Sequence, residues 1–178
     1  MQWQIDPAHT SVDFAVRHLG ISTVRGHFTK LSGTIETTDD GRLQSLEAAI
    51  GTGSIDTREE ERNAHLRSAD FLDAARNPAI VFRSTYVTLQ EERHYSVRGD
   101  LTLRGETHPV DLELEVTEPI KDPWGNIRAA ATGEGRLNRE NWGLTWNQVS
   151  DFGRRLFGEE VRFRLEVEAV AKPPVAAG

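Results

Sequence analysis

Most of the chain alternates apolar and polar residues with a period of two, which is the pattern of half-buried β-strands. Between residues 110 and 116, for example, Val and Leu at the even positions alternate with carboxylates at the odd positions. About eight long segments show this pattern, at residues 10–18, 24–35, 46–50, 80–86, 95–103, 110–116, 127–137 and 161–169, with a short one at 3–5. No segment is apolar on both faces, so the predicted sheet buries one face only.

Short turns join most of the predicted strands to their neighbours as hairpins. Turn residues such as Asp39-Asp40-Gly41 lie between successive segments. The alternation slips by one residue between Phe28 and Leu31, as expected for a bulge that bends a strand. We therefore predict an all-β fold, an eight-stranded antiparallel β-barrel whose strands run up and down. A two-sheet sandwich is the alternative.

One segment of the chain carries helical signals. Thr57-Arg58-Glu59-Glu60 has the form of a capping box, which predicts a helix from there to about Leu66. A second capped turn follows from Ser68, and Pro78 restricts the residue before it to extended conformations. The sequence thus predicts a short helical insert around residues 58–76 between two strands.

The predicted strand from Ile127 to Leu137 carries small residues on its apolar face. That face consists of Ile127, Ala129, Ala131, Gly133, Gly135 and Leu137. On this stretch alone we favour the interpretation that the glycines let a barrel strand coil and bend. The neighbouring strands, however, supply Leu, Val and Phe rather than the large aromatic residues that would fill the remaining volume. Taken together, the strands favour a hollow interior that holds one small ligand.

Length and composition exclude several classes of function. The 178 residues are predicted to form a single domain over residues 1–172, with a flexible C-terminal tail at 173–178. The chain has no cysteine, which excludes disulfides and thiolate chemistry, and its net charge of −7 opposes binding to nucleic acid or to an anionic membrane surface. No apolar stretch is long enough to span a membrane, and no signal peptide is recognisable, so a cytoplasmic location is expected.

The histidines do not form a recognisable metal site. His9, His18 and His27 are spaced by nine residues, and an odd spacing places neighbours in the series on opposite faces of a continuous strand. No His-x-His pair, nucleophile elbow or dinucleotide-binding glycine motif is present. We therefore predict no metal, no cofactor and no catalytic residue.

Two histidines and two tryptophans each have two possible roles, one structural and one in ligand binding. His18 ends its strand on the inward side, where it is either a rim residue bonded to backbone or a polar contact for a ligand's head. His65, near Asp70, has the same alternatives. Trp142 and Trp146 are each either packed in the core or at the rim, or stacked against a ligand.

Several segments together resemble the YceI-like family. They are Asp6–His18, Val24–Phe28, His65–Asp73, Gly99–Thr107 and Arg139–Leu144, which follow one another along nearly the whole chain. The resemblance implies an elongated, lipocalin-like barrel that binds a polyisoprenoid or similar long amphiphile in a tunnel, commonly as a homodimer and without known catalysis. Many relatives carry a signal peptide, unlike this sequence, and Leu72 stands where a second aromatic residue is frequent.

We therefore expect non-catalytic binding, storage or transport of a long-chain amphiphile: a polyisoprenoid, an isoprenoid quinone or a fatty-acid-like lipid. The predicted ligand contacts are Phe14, Val16, His18, Phe28, Ile50, Phe71, Phe82, Val97, Leu112, Leu114, Ala131, Gly133, Trp142 and Phe163. Gly133→Leu is expected to block long chains while the fold survives. The alternatives are an enzyme that acts on an apolar substrate through His18 or His65, and a stress-response interaction module with a filled barrel.

Overall fold

The computed structural model describes residues 1–172, so the predicted tail at 173–178 lies outside the described residues. The strands are β1 Gln2–Ile5, β2 Ser11–His18, β3 Ser22–Phe28, β4 Leu31–Thr37, β5 Leu43–Gly51, β6 Ile55–Asp56, β7 Ala79–Glu91, β8 His94–Leu103, β9 Glu106–Val116, β10 Ile120–Lys121, β11 Ile127–Asn138 and β12 Phe157–Ala171. The α-helix α1 is Glu60–Arg67, and short 3-10 helices occur at Pro7–His9, Thr52–Ser54 and Arg139–Trp142.

The strands form a closed antiparallel barrel of eight, which confirms the predicted fold. β1 with β2, β3 with β4, and β5 with β6 each make one interrupted barrel strand, and β7, β8, β9, β11 and β12 complete the ring. β12 closes it, because it pairs with β11 along one edge and with β1 and β2 along the other. The break between Phe28 and Leu31 is the point where the alternation slips.

The barrel is elongated. β7 has 13 residues and β12 has 15, compared with roughly 5–6 in an average strand. At one end, here called the hairpin end, lie the turns 38–42 and 92–93 and the connection 117–126. At the other end, the helix end, lie the turn 19–21, α1 and the connection 139–156. No helix in the described part of the chain is long and apolar enough to cross a membrane.

The helical insert exists, but it is not capped as predicted. The carboxylate of Glu59, rather than the hydroxyl of Thr57, accepts hydrogen bonds from the first amides of α1, those of Glu61 and Arg62. Thr57 is buried, and both its amide and its hydroxyl donate to the side-chain oxygen of Asn63 at 2.7 Å. The Thr57 side chain is therefore committed to holding α1 against the barrel, so the capping-box prediction was wrong.

Candidate functional site

A cavity of about 360 Å³ lies inside the barrel. Its wall is formed almost entirely by Val, Leu, Ile, Phe and Ala side chains on the inward faces of the strands. It extends between the two ends, since Thr37 and Pro119 line it near the hairpin end and Leu144 and Phe157 line it at the helix end. This volume lies within the range of small-molecule pockets, roughly 300–1,000 Å³. The hollow interior expected from the strands taken together is therefore present.

Most of the predicted ligand contacts lie on the wall of this cavity. Those that line it are Phe14, Val16, Phe28, Ile50, Phe71, Phe82, Leu112, Leu114, Ala131 and Phe163. They come from strands on all sides of the barrel and from the segment after α1, and the period-two pattern alone placed most of them on the inward face.

Four predicted contacts do not line the cavity. Val97 is fully buried in the core, and Gly133 lies behind the side chains of its neighbours. Trp142 is also buried, where its indole nitrogen donates to the carbonyl of Leu101 at 2.9 Å. His18 stands at the rim with its ring 5.7 Å from that of Phe157. Trp142 thus lies where the packing interpretation places it, and His18 lies at the rim, with Nδ1 3.5 Å from the hydroxyl of Ser22 rather than bonded to backbone.

The two glycines of β11 face the core at positions that neighbouring side chains already occupy. A Cβ atom on Gly133 would lie 2.4 Å from Cδ2 of Leu114, and one on Gly135 would lie 2.5 Å from Cζ of Phe163. Large residues on adjacent strands thus cover the glycines, a pairing that stabilises Gly within sheets. The cavity borders the alanines of β11 instead. Gly133→Leu is consequently expected to disturb the fold, and Ala131 is the better position for blocking the cavity.

Aromatic rings cluster at the helix end of the cavity. The ring of His65 lies 5.0 Å from that of Phe71 and 4.5 Å from that of Trp146, both edge to face. Trp146 continues the cluster to Phe157 at 6.3 Å. Because these rings come from α1, the segment after it, the 139–156 connection and the start of β12, the cluster joins four separate parts of the chain at this end.

Three groups that can carry positive charge line the cavity at the same end: Arg62, His65 and Arg139. Nε2 of His65 is 2.9 Å from a carboxylate oxygen of Asp70. Arg62 donates to the hydroxyl and carbonyl oxygens of Thr57 at 2.8 and 2.7 Å. Arg139 is only 4% exposed, and this burial lowers its pKa. The otherwise apolar cavity therefore has its basic groups at one end.

At the hairpin end, Arg128 joins three carboxylates from separate parts of the chain. Its guanidinium donates to Asp6 and Asp122 at 2.8 Å and to Glu168 at 2.6 Å. The hydrogen bond from Arg128, with a second from His9, lowers the pKa of Asp6 to about 2. The guanidinium also holds the pKa of Asp122 well below its usual range. This charge cluster lies outside the cavity wall and connects β11 to β12 and to the N-terminal segment.

The three evenly spaced histidines, His9, His18 and His27, do not lie together at one site. His9 bonds to Asp6, His18 lies near Ser22, and His27 is 3.8 Å from Asp56. Within residues 1–172, Asp6, His9 and Glu168 are the group whose potential metal ligands lie close together. Arg128 already neutralises the two carboxylates of that group, so its donor set does not suit a cation.

Arg139 was not among the predicted ligand contacts, although the sequence contained a signal for it. Residue 139 directly follows β11, and continuing the period of two beyond Leu137 would place it on the inward side, where a charged residue is unusual. Arg62, Leu144 and Phe157 were missed for a different reason. Arg62 lies on α1 and Leu144 within the 139–156 connection, where no strand periodicity applies, and Phe157 begins β12 before a shift in its register with β2.

Comparison with known proteins agrees with this geometry. Residues 3–169 match the YceI-like domain family. A UPF0312 protein of Vibrio cholerae is 36% identical over 169 residues, which cover 93% of this chain and 84% of the relative. Among solved structures, Burkholderia cenocepacia BcnA has a TM-score of 0.79 at 19% identity, covering 92% of this chain and 98% of BcnA. A polyisoprenoid-binding domain from Saccharophagus degradans has a TM-score of 0.71 at 15% identity, covering 96% and 98%.

Proposed function

The chain belongs to the YceI-like domain family, and on that premise we propose that its barrel binds a long-chain amphiphile without catalysis, as a store or carrier. The ligand class is a polyisoprenoid, an isoprenoid quinone or a related lipid. The observation that carries the proposal is the apolar cavity of about 360 Å³ that extends between the two ends of the barrel. The structural neighbour from Saccharophagus degradans is described as a polyisoprenoid-binding domain, which supports the same ligand class.

The energetics favour long chains over short ones. Each methylene group that moves from water into such a wall contributes about 0.8 kcal/mol, before the costs of association. A much smaller apolar cavity, of about 150 Å³, stays dry and binds apolar molecules when it is lined by Leu, Ile and Phe. The wall of this cavity has the same composition, so it suits a hydrocarbon chain better than ordered water.

Native mass spectrometry of the freshly purified protein tests the proposal directly. We expect a lipid-sized adduct that is released by denaturation, and the same spectrum reports whether the particle is a homodimer. Homodimer formation and cytoplasmic location stay predictions. The interaction-module alternative, with its filled barrel, predicts no adduct.

A pair of variants on β11 tests whether the chain occupies the cavity. Ala131 lines the cavity, whereas its neighbour Thr132 alternates to the opposite face and pairs with Glu115 and Glu166. Ala131→Phe is expected to weaken binding of long chains at least tenfold, since displacing two methylene groups costs about 1.6 kcal/mol. Thr132→Phe adds the same ring outside and should leave binding unchanged in a lipid-displacement assay. Equal affinities for both variants would contradict the proposed binding site.

The hydrogen bond between His65 and Asp70 favours the catalytic alternative, because an imidazole oriented by a carboxylate can act as a general base. The part of the wall described here offers no Ser or Cys as a nucleophile next to it. Catalysis would therefore require turnover that is lost in His65→Ala while the ligand still binds.

A further inference from the structure

The guanidinium of Arg139 is held in place by backbone carbonyls at the helix end of the cavity. Nε donates to the carbonyl of Gly158 at 2.8 Å, and Nη1 donates to those of Leu144 at 2.6 Å and Trp146 at 3.1 Å. Nη2 is buried and has no hydrogen-bond partner among residues 1–172. Buried polar nitrogens are rarely left unpaired, so this one requires an explanation.

Two nearby carboxylates, Glu140 and Glu159, attract the charge of Arg139, but within residues 1–172 neither forms a salt bridge with its guanidinium. Glu140 pairs with Arg155 instead, and Glu159 lies 3.5 Å from the same arginine. Burial lowers the pKa of Arg139, but a guanidinium starts from so high a pKa that it stays protonated near neutral pH. The side chain therefore carries a buried positive charge whose hydrogen bonds, in the described part of the chain, go to neutral carbonyls, an arrangement that a directly bound anion would stabilise.

A second cation reinforces this charge. Arg62 also lines the cavity, and its hydrogen bonds go to the neutral oxygens of Thr57. The wall towards the hairpin end is apolar apart from two neutral residues, Thr37 and Thr117. An amphiphile inside the barrel thus meets hydrocarbon along most of its length and positive charge at the helix end.

We propose that Arg139 binds the anionic head of the ligand, a carboxylate or a phosphate, at the helix end of the cavity. The inference rests on the proposed function, because it assigns the head group of the amphiphile that the cavity holds. Nη2 supplies two N–H donors, and a guanidinium pairs well with the oxygens of either anion. The chain of the ligand then extends towards the hairpin end.

Three probes with the same hydrocarbon chain test the head group: hexadecanoate, hexadecyl phosphate and 1-hexadecanol. We expect the wild-type protein to bind the anions more tightly than the alcohol. Arg139→Met should lower the affinity for the anions roughly ten- to hundredfold and leave that for the alcohol nearly unchanged, because hydrogen bonds to charged groups contribute that much. Arg128→Met, which removes a guanidinium from the other end, is the matched control and should change none of the three affinities. Whichever anion binds more tightly identifies the head-group class.

The outcomes separate the two proposals. If the three probes bind equally to wild type and to Arg139→Met, the head-group assignment is wrong and the cavity proposal stands. If none of the three binds to the wild-type protein, the proposed function fails, and the inference fails with it.

A measurement on the unaltered protein decides the question if Arg139→Met does not fold. The carboxyl carbon of bound [1-¹³C]hexadecanoate reports its ionisation by NMR. Pairing with a guanidinium lowers a carboxyl pKa, so the signal should stay in its ionised position below about pH 4. Titration at or above the pKa of an unperturbed glutamate side chain, about 4.3, would overturn the inference.

Discussion

Arg128 and Arg139 lie at opposite ends of β11, and their surroundings differ in kind. Arg128 bonds to three carboxylates of the chain, those of Asp6, Asp122 and Glu168. Arg139 bonds to backbone carbonyls, and one of its nitrogens has no partner in the described structure. Arg128 is therefore neutralised by carboxylates of the chain itself, whereas the charge of Arg139 stays available for the anionic head of a ligand.

We expect Arg139→Glu, which reverses the charge at this position, to lower the free energy of unfolding more than any other variant considered. A carboxylate at this position would face the carbonyl oxygens of Gly158, Leu144 and Trp146, which are acceptors like itself. An uncompensated buried charge of this kind costs about 3–5 kcal/mol. Urea unfolding should show a loss of that size, or a protein that does not fold at all.

Arg136→Glu is the control for that variant, because it makes the same charge change on β11 at an exposed side chain. It should alter the free energy of unfolding far less. If the two variants lose the same stability, Arg139 is not the buried, carbonyl-bound cation described here.

The two arginines also show which features of the structure could be predicted from the sequence and which could not. Strand periodicity predicted the barrel and the inward face of β11, because alternation every two residues is a local property. Periodicity could not predict that Leu114 and Phe163 would cover Gly133 and Gly135, since that depends on how adjacent strands pair in register. The position of Arg139 also depends on the fold, because its partners come from the 139–156 connection and from the start of β12.

Arg128→Met, at the other end of β11, is expected to lower stability less than Arg139→Glu does. The variant leaves Asp6, Asp122 and Glu168 close together without their shared cation, so the carboxylates repel one another. The midpoint temperature of thermal unfolding should fall, although less than in Arg139→Glu, because salt bridges that solvent reaches contribute little. Hydrogen exchange should accelerate at β1 and β10, the short strands beside this cluster, while exchange at α1 and ligand affinity stay unchanged. Faster exchange at α1 instead would show that Arg128 does not act locally.

The smallest expected effect is the part of the dependence of stability on acid pH that comes from Asp6 at the hairpin end. The hydrogen bond from Arg128, helped by that from His9, lowers the pKa of Asp6 to about 2 in the folded protein, from an ordinary value of 3.8. Above about pH 5 the carboxylate is ionised in both states and its contribution to stability is complete. As the pH falls through 3.8 the unfolded chain binds the proton first, so this contribution declines, and it is lost as the pH falls through the folded value of about 2. Urea unfolding at pH 5, 3.5 and 2.5 should therefore show a shallower decline in Asp6→Asn than in the wild-type protein, and Arg128→Met should also be shallower than the wild type, because it loses the hydrogen bonds that lower the pKa of both Asp6 and Asp122. Identical slopes in all three proteins would mean that Arg128 does not hold Asp6 ionised, and the contrast between the two ends of β11 would lose its electrostatic basis.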